Sequence, residues 1–144
     1  MNQESLHKDL MECSMKNTPY FSLCDQEFTC KCVKVYDGDT ITVIFKPFEQ
    51  TSFYKFRIRL YGIDTPELRT KNKKEKEFGK QVRDFLKEKI LDKVVTVSCL
   101  DFDKYGRLLV ELFINDESIN NWLIDKGYAK KYDGGKKSPW FIEE

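Results

Sequence analysis

The chain has 144 residues and 17.1 kDa, which is one ordinary domain. A hydrophobic content of 40%, with 11 Phe and 7 Tyr, excludes a disordered tail or a fibrous or low-complexity chain. The formal net charge of +1 excludes a global attraction to nucleic acid or anionic membranes, so any polyanion site has to be local.

Residues 1–27 are polar, lack a sustained period, and read as an N-terminal arm laid over the domain that follows at 28–144. The opening MNQESLHKDL lacks the apolar stretch of a signal peptide, and no run approaches the ~18 apolar residues of a membrane span, so a soluble intracellular protein is expected. From Phe28 the alternation of apolar with polar residues predicts three strands, in FTCKCVKVY, TITVIF and FYKFRIRLY. Asp37-Gly38 favours a tight hairpin between the first two, and Pro47 to Ser52 is a looser connection.

After Pro66 the period lengthens, and Phe78, Val82, Phe85, Leu86 and Ile90 mark one face of a helix over about Lys73 to Leu91. Val95, Val97 and Cys99 predict a fourth strand, DFDKYGR a loop, and Leu108 to Ile114 a fifth strand. Ser118 can cap a second helix with Ile119, Trp122 and Leu123 on its buried stripe and Gly127 at its end. Ser138 before Pro139 reads as the start of a third helix. This order is that of a β-rich α+β domain: a five-stranded Greek-key barrel of the oligonucleotide-binding (OB) type, with one helix after the third strand and one after the fifth.

Charge is segregated along this frame: net +5 over Arg69 to Lys93, +4 over Lys126 to Lys137 and −3 over residues 1–27. The five cysteines, at 13, 24, 30, 32 and 99, have no regular spacing, which suits reduced thiols better than disulfides. Cys13, Cys24, Cys30 and Cys32, with His7, would be the donors of a structural zinc site, but the C-x-C spacing lacks a zinc knuckle.

His7 is the sole histidine and lies in the arm, which removes Ser-His-Asp and Cys-His chemistry. Glycine-rich phosphate loops are absent too. Carboxylates, arginines and a metal remain as reagents. Asp39 in YDGDT and Asp64 in YGIDTPE each stand where a predicted strand meets a turn, and two such acids with a carbonyl suit Ca²⁺ or Mg²⁺. Arg59 is on the polar phase of the third strand and Arg107 enters the fifth. Their planar forks match phosphate oxygens, although each could make a structural salt bridge instead.

VKVYDGDT, IRLYGIDTPE, DKYGR and INNWLIDKGYAK, in this order and separation, resemble the staphylococcal-nuclease-like (thermonuclease) domains from about Phe28 to Tyr132. The resemblance implies that Asp39 and Asp64 bind the metal, that Thr65 lends its carbonyl and that Asp37 is an acid close by. It implies phosphate-gripping roles for Arg59 and Arg107, and for Glu67 the activation of the attacking water. Lys104 and Tyr105 match positions that contact a neighbouring phosphate and base, and Tyr128 and Tyr132 align with the tyrosines of the family's nucleotide pocket. The implied activity is Ca²⁺-dependent hydrolysis of DNA or RNA, with Mg²⁺ or Mn²⁺ as alternatives, leaving 3′-phosphates with weak base preference, by a protein expected to be monomeric. The family's longer C-terminal helix is shortened here, and YDGGKK resembles versions of the domain in large DNA viruses. The competing class is an OB module that binds single-stranded nucleic acid or a protein without catalysis. Such modules lose their acids and arginines, whereas both metal acids, both arginines and Glu67 stand together in this chain.

Overall fold

A computed structural model describes residues 2–142 and has the expected architecture. Five long strands form the barrel: β1 (Glu27–Val35), β2 (Thr40–Phe45), β3 (Tyr54–Leu60), β5 (Val94–Phe102) and β6 (Leu108–Ile114). Three short strands are added by tertiary pairing: β4 (Ile63–Asp64), β7 (Glu117–Ser118) and β8 (Lys130–Lys131). The order is β3-β2-β1-β5-β6, and a parallel pairing of Ile58–Leu60 with Leu108–Val110 closes the barrel.

Strict alternation sends Ile41, Val43 and Phe45 of β2 and Leu108, Val110 and Leu112 of β6 inward. On β1 a register shift between Cys32 and Lys34 changes the phase, so Val35 points inward after Cys30 and Cys32. Phe45 is sandwiched between Phe28 and Phe56 of the flanking strands, with centroids 4.3 and 4.1 Å away. Helix α2 (Lys73–Ile90) lays Val82, Leu86 and Ile90 on the core, and Asn72 caps it by accepting from the Glu75 N–H at 3.1 Å. The seven-residue helix α3 (Ile119–Asp125) buries Ile119 and Leu123.

The arm differs from its expectation. Its Gln3–Glu12 segment is a helix, α1, with Asn2 as N-cap, and none of its residues is buried. Leu6, Leu10 and Met11 are its exposed apolar residues. Only the end of the arm is laid on the domain: Phe21 meets Phe48 edge-on at 6.3 Å and Ser22 Oγ donates to Asp101 Oδ1 at 3.4 Å. The chain enters the core at Leu23, and Asp25 and Gln26 then bond Cys99 through backbone groups. The third helix expected from Ser138-Pro139 is also not formed within the described residues: 136–142 run without regular structure, held by side-chain contacts to the acid site. Cys30 and Cys32 are core residues while Cys13 and Cys24 are exposed, which separates the imagined zinc donors. No helix is long and apolar enough to cross a membrane among the described residues.

Candidate active site

The first acid turn joins β1 to β2. Tyr36 N–H donates to Thr40 O at 2.9 Å, and Asp37 Oδ1 accepts from the Asp39 N–H at 3.1 Å. Between them Gly38 makes a close approach that no other residue could: a Cβ there would lie 2.7 Å from Val82 Cγ1 and 2.8 Å from Thr65 Cβ. The turn is thus pressed onto α2 and onto the second acid motif. Asp39 Oδ1 accepts from Thr40 Oγ1 at 3.0 Å and Oδ2 pairs with Arg59 at 3.3 Å.

The second motif follows the Gly62 bend, whose φ of +79° favours glycine. Asp64 lies on β4, which pairs with β8, so the segment after α3 runs beside it. Asp64 Oδ2 accepts from Trp140 Nε1 at 3.2 Å. Its Oδ1 is sealed from solvent, and Lys137 Nζ lies 3.2 Å from it and 3.3 Å from Glu67 Oε1. Burial would lower the Lys137 pKa, but the charges of Asp64 and Glu67 outweigh it and raise it. The Glu67 N–H donates at 2.8 Å to Glu75 Oε2 in the first turn of α2, which fixes the backbone under that carboxylate while the side chain stays half exposed.

Arg59 donates to Leu60 O at 2.7 Å and Ile63 O at 2.9 Å, riveting the β3–β4 bend while it holds Asp39. Arg107 reaches the same neighbourhood from β6: Nε donates to Asp103 Oδ2 at 2.8 Å and one terminal nitrogen to Thr40 Oγ1 at 3.5 Å. Burial alone would raise the Asp103 pKa, yet the N–H groups of Arg107 and Tyr105 and the Arg107 guanidinium hold it below the usual range. Lys104 and Tyr105 form the rim here, the Tyr105 ring lying 5.2 Å from Lys104 Nζ and 5.5 Å from the Arg107 guanidinium.

Asp37, Asp39, Asp64 and Thr65 are all at least nine-tenths buried. Burial, and then the charge of Asp39, push the Asp37 carboxyl up to about 7. Thr65 Oγ1 is buried without a hydrogen-bond partner. Buried anionic oxygens in excess of cations are the donor set of a hard divalent ion, and Asp39, Asp64 and the Thr65 carbonyl could hold one. Among the described residues no three His, Cys, Asp or Glu side chains form a ready-made cage, so water and a bound phosphate would have to complete the coordination.

Tyr132 lies beside this group, its ring 5.5 Å from Lys137 Nζ and its hydroxyl donating to Gly135 O at 2.6 Å. With Tyr61, Asp64, Lys130, Lys136 and Lys137 it lines a cavity of about 760 Å³. Tyr128 is not brought there: it stacks on Phe85 at 4.9 Å and meets Trp122 edge-on, joining α2 to α3. Sequence reasoning missed Glu75, Asp103, Asn120, Lys137 and Trp140. Asn120 is buried, donates to Tyr61 O and Val110 O, and accepts from the Leu112 N–H, tying α3 to both sides of the barrel seam. Only the D-x-x-G-R spacing of Asp103 left a local signal, that of a turn acid capping its own loop.

A sequence profile described as "Staphylococcal nuclease homologue" matches residues 57–140, more than half the chain. An uncharacterised endonuclease of Escherichia coli O157:H7 is 33% identical over 110 residues, 76% of this chain and 64% of its own length. The thermonucleases of Staphylococcus hyicus and Staphylococcus intermedius are 32% identical over 106 residues and 34% over 102, covering 72% and 67% of this chain. Those matches cover 59% and 55% of the two thermonucleases, so the chain spans less than two thirds of each of these relatives. The profile begins after the first acid turn, and contacts of Arg59 with Asp39 and of Gly38 with Thr65 join that turn to the matched region. With the barrel, its inserted helix and this acid and arginine set at its edge, the chain belongs to the staphylococcal nuclease homologue family.

Proposed function

We propose that the protein is a divalent-cation-dependent nuclease that hydrolyses the phosphodiester bonds of DNA, RNA or both with little base preference, leaving 3′-phosphates. Ca²⁺ is the favoured cation and Mg²⁺ or Mn²⁺ the alternatives. The observation that carries the reading is the convergence of Asp39, Arg59, Asp64, Thr65 and Arg107 from three separated segments onto one edge of the barrel, with Glu67 beside them. A cation held by Asp39, Asp64 and the Thr65 carbonyl would polarise the phosphodiester and offset its charge.

Glu67 is the half-exposed carboxylate of the set; its backbone is anchored, one oxygen meets Lys137, and its exposed side makes it the group to take a proton from water. Arg107 engages Asp103 and Thr40 through two of its nitrogens and has donors left for a phosphate oxygen, where its fixed charge stabilises the crowded transition state. Arg59, with more of its donors committed, holds Asp39 in place and adds charge to the same edge. Lys104 and Tyr105 at the rim suit a neighbouring phosphate and base, and Tyr132 a base on the other side. Five unpaired thiols suit a reducing, intracellular setting.

The test is incubation of the purified chain with end-labelled single- and double-stranded DNA and RNA, with Ca²⁺, Mg²⁺, Mn²⁺ or EDTA. Cation-dependent cleavage abolished by EDTA is expected, with products that carry 3′-phosphates. Nucleic-acid binding with no cleavage under any cation would replace this reading with that of a binding module.

A further inference from the structure

The segment from β8 to Phe141 folds back across the acid site and is held there at its far end. Lys130 Nζ donates to Pro139 O at 2.9 Å and to Ser138 Oγ at 3.4 Å, and lies 4.4 Å from the centre of the Trp140 ring. Phe78 of α2 meets both Trp140 and Phe141 edge-on, and Asn72 Nδ2 donates to Phe141 O at 3.3 Å. Two side chains of this strap reach Asp64, one at each oxygen, and they differ in how firmly they are held. Trp140 is a rigid indole wedged between Phe78 and Lys130. Lys137 is a flexible stem, 42% exposed, whose ammonium contacts the acids and the Tyr132 ring.

We propose that Lys137 and Trp140 act on the cation site in opposite senses: Lys137 competes with a divalent cation for Asp64 Oδ1, and Trp140 is the positioning residue that keeps Asp64 aimed through Oδ2. The proposal rests on the cation-dependent reading given above and extends it to two residues of this chain. An ammonium 3.2 Å from Asp64 Oδ1 and 3.3 Å from Glu67 occupies the place where a second positive charge would have to stand, and the two repel. A cation that binds Asp64 therefore displaces the ammonium, whose exposed stem can swing into solvent without moving the anchored backbone. The indole N–H makes no such conflict. It occupies the other oxygen, fixes the carboxylate rotamer and leaves Oδ1 facing the site, as outer hydrogen-bond partners of metal-binding side chains do.

The experiment is calorimetric titration of Ca²⁺ into the full chain without substrate, comparing wild type with Lys137→Gln, Lys137→Arg and Trp140→Phe, each checked for folding by thermal denaturation in chelator. Lys137→Gln is expected to tighten Ca²⁺ binding by about 3- to 10-fold, a little above the worth of an exposed ion pair. Lys137→Arg should stay near wild type. Trp140→Phe keeps an aromatic ring against Phe78 but loses the donor, and should weaken binding by about 10- to 100-fold. Two changes in one strap with opposite signs are not what a merely structural segment would give.

A second measurement covers the case in which Trp140→Phe does not fold. The chain has two tryptophans, so in Trp122→Phe the remaining indole is Trp140, and its emission should change as Ca²⁺ is added. Unchanged emission, or equal or weaker Ca²⁺ binding by Lys137→Gln, would overturn the proposal while leaving the nuclease reading intact. No binding of Ca²⁺, Mg²⁺ or Mn²⁺ by the wild type would overturn both.

Discussion

At the scale of single residues the site is a problem of surplus negative charge, and each carboxylate meets it differently. Asp39 is buried against Arg59, whereas Glu67 is half exposed and faces Lys137. In the proposed mechanism Glu67→Gln keeps the size and one acceptor but loses the base, so cleavage should slow by ~10²–10⁴-fold with substrate affinity nearly unchanged. Asp39→Asn would remove a charged hard ligand of the proposed cation, so part of its loss should return when the cation concentration is raised. Steady-state kinetics across a cation series separates the two, and full activity in both variants would make the carboxylate set structural. Asp37 gives a pH signature. Its carboxyl, pushed up to about 7 in the folded chain by burial and by Asp39, lies near 4 when unfolded. Between these values the folded state holds a proton that the unfolded state has released, so stability falls as pH rises through that window. Asn at 37 does not titrate and can still accept from the Asp39 N–H. Asp37→Asn is therefore expected to melt higher than wild type at pH 8 in chelator, with the difference shrinking toward pH 4. A wild-type advantage at pH 8 would show that the buried charge is compensated.

At the scale of elements, the contacts that matter most are close approaches of loops to α2. Gly79 stands inside that helix, where glycine ordinarily costs about 1 kcal/mol relative to alanine. A Cβ at this position would lie 3.0 Å from Pro66 O, 3.1 Å from Glu67 O and 3.2 Å from Leu68 Cδ2. Backbone carbonyls cannot rotate aside like the end of a side chain, so the usual gain in helix propensity is reversed. Gly79→Ala is expected to lose about 1–3 kcal/mol, the range of overpacked sites. It should also lower turnover, because the displaced segment carries Glu67. Chemical denaturation and an activity assay check this together, and a more stable, fully active alanine variant would contradict the close seating of 66–68. The same contacts explain what could be read in advance. The five long strands and α2 were visible because a period of two or of 3.6 repeats over six residues or more. The two-residue strands β4, β7 and β8 have no period to display. Ser138-Pro139 has the local chemistry of a helix start, but Lys130, Asp64 and Asn72 offer the segment partners that an added helical turn would forfeit.

At the scale of the whole molecule, the positions of Asp39, Asp64, Arg59 and Arg107 were legible as motifs, while their supports were not. Asn120 bonds a carbonyl 59 residues away and Trp140 a carboxylate 76 residues away, and pairings at such separations leave no trace in a local pattern. The uneven charge was legible too, and it acquires a location in the fold. The chain as a whole is nearly neutral at +1, so long-range attraction to a polyanion has to come from segregated patches. Lys131 and Lys136 line the cavity next to Asp64, both are exposed, and neither forms an ion pair among the described residues. If the substrate backbone crosses this cavity, each lysine neutralises one phosphate and releases its counterions, steepening the fall of affinity with salt. In a Glu67→Gln background that suppresses cleavage, replacing Lys131 and Lys136 by Gln is expected to flatten the slope of log affinity against log salt by about 1.4 to 1.8, the lower value for single strands. Lys8→Gln with Lys16→Gln removes the same charge from the exposed, acidic arm and should leave the slope unchanged. Fluorescence anisotropy between about 50 and 200 mM salt reads both. Equal flattening by the two pairs would mean that the charge acts through the molecule's total rather than through this groove, and the path of the substrate would then have to lie elsewhere on the barrel.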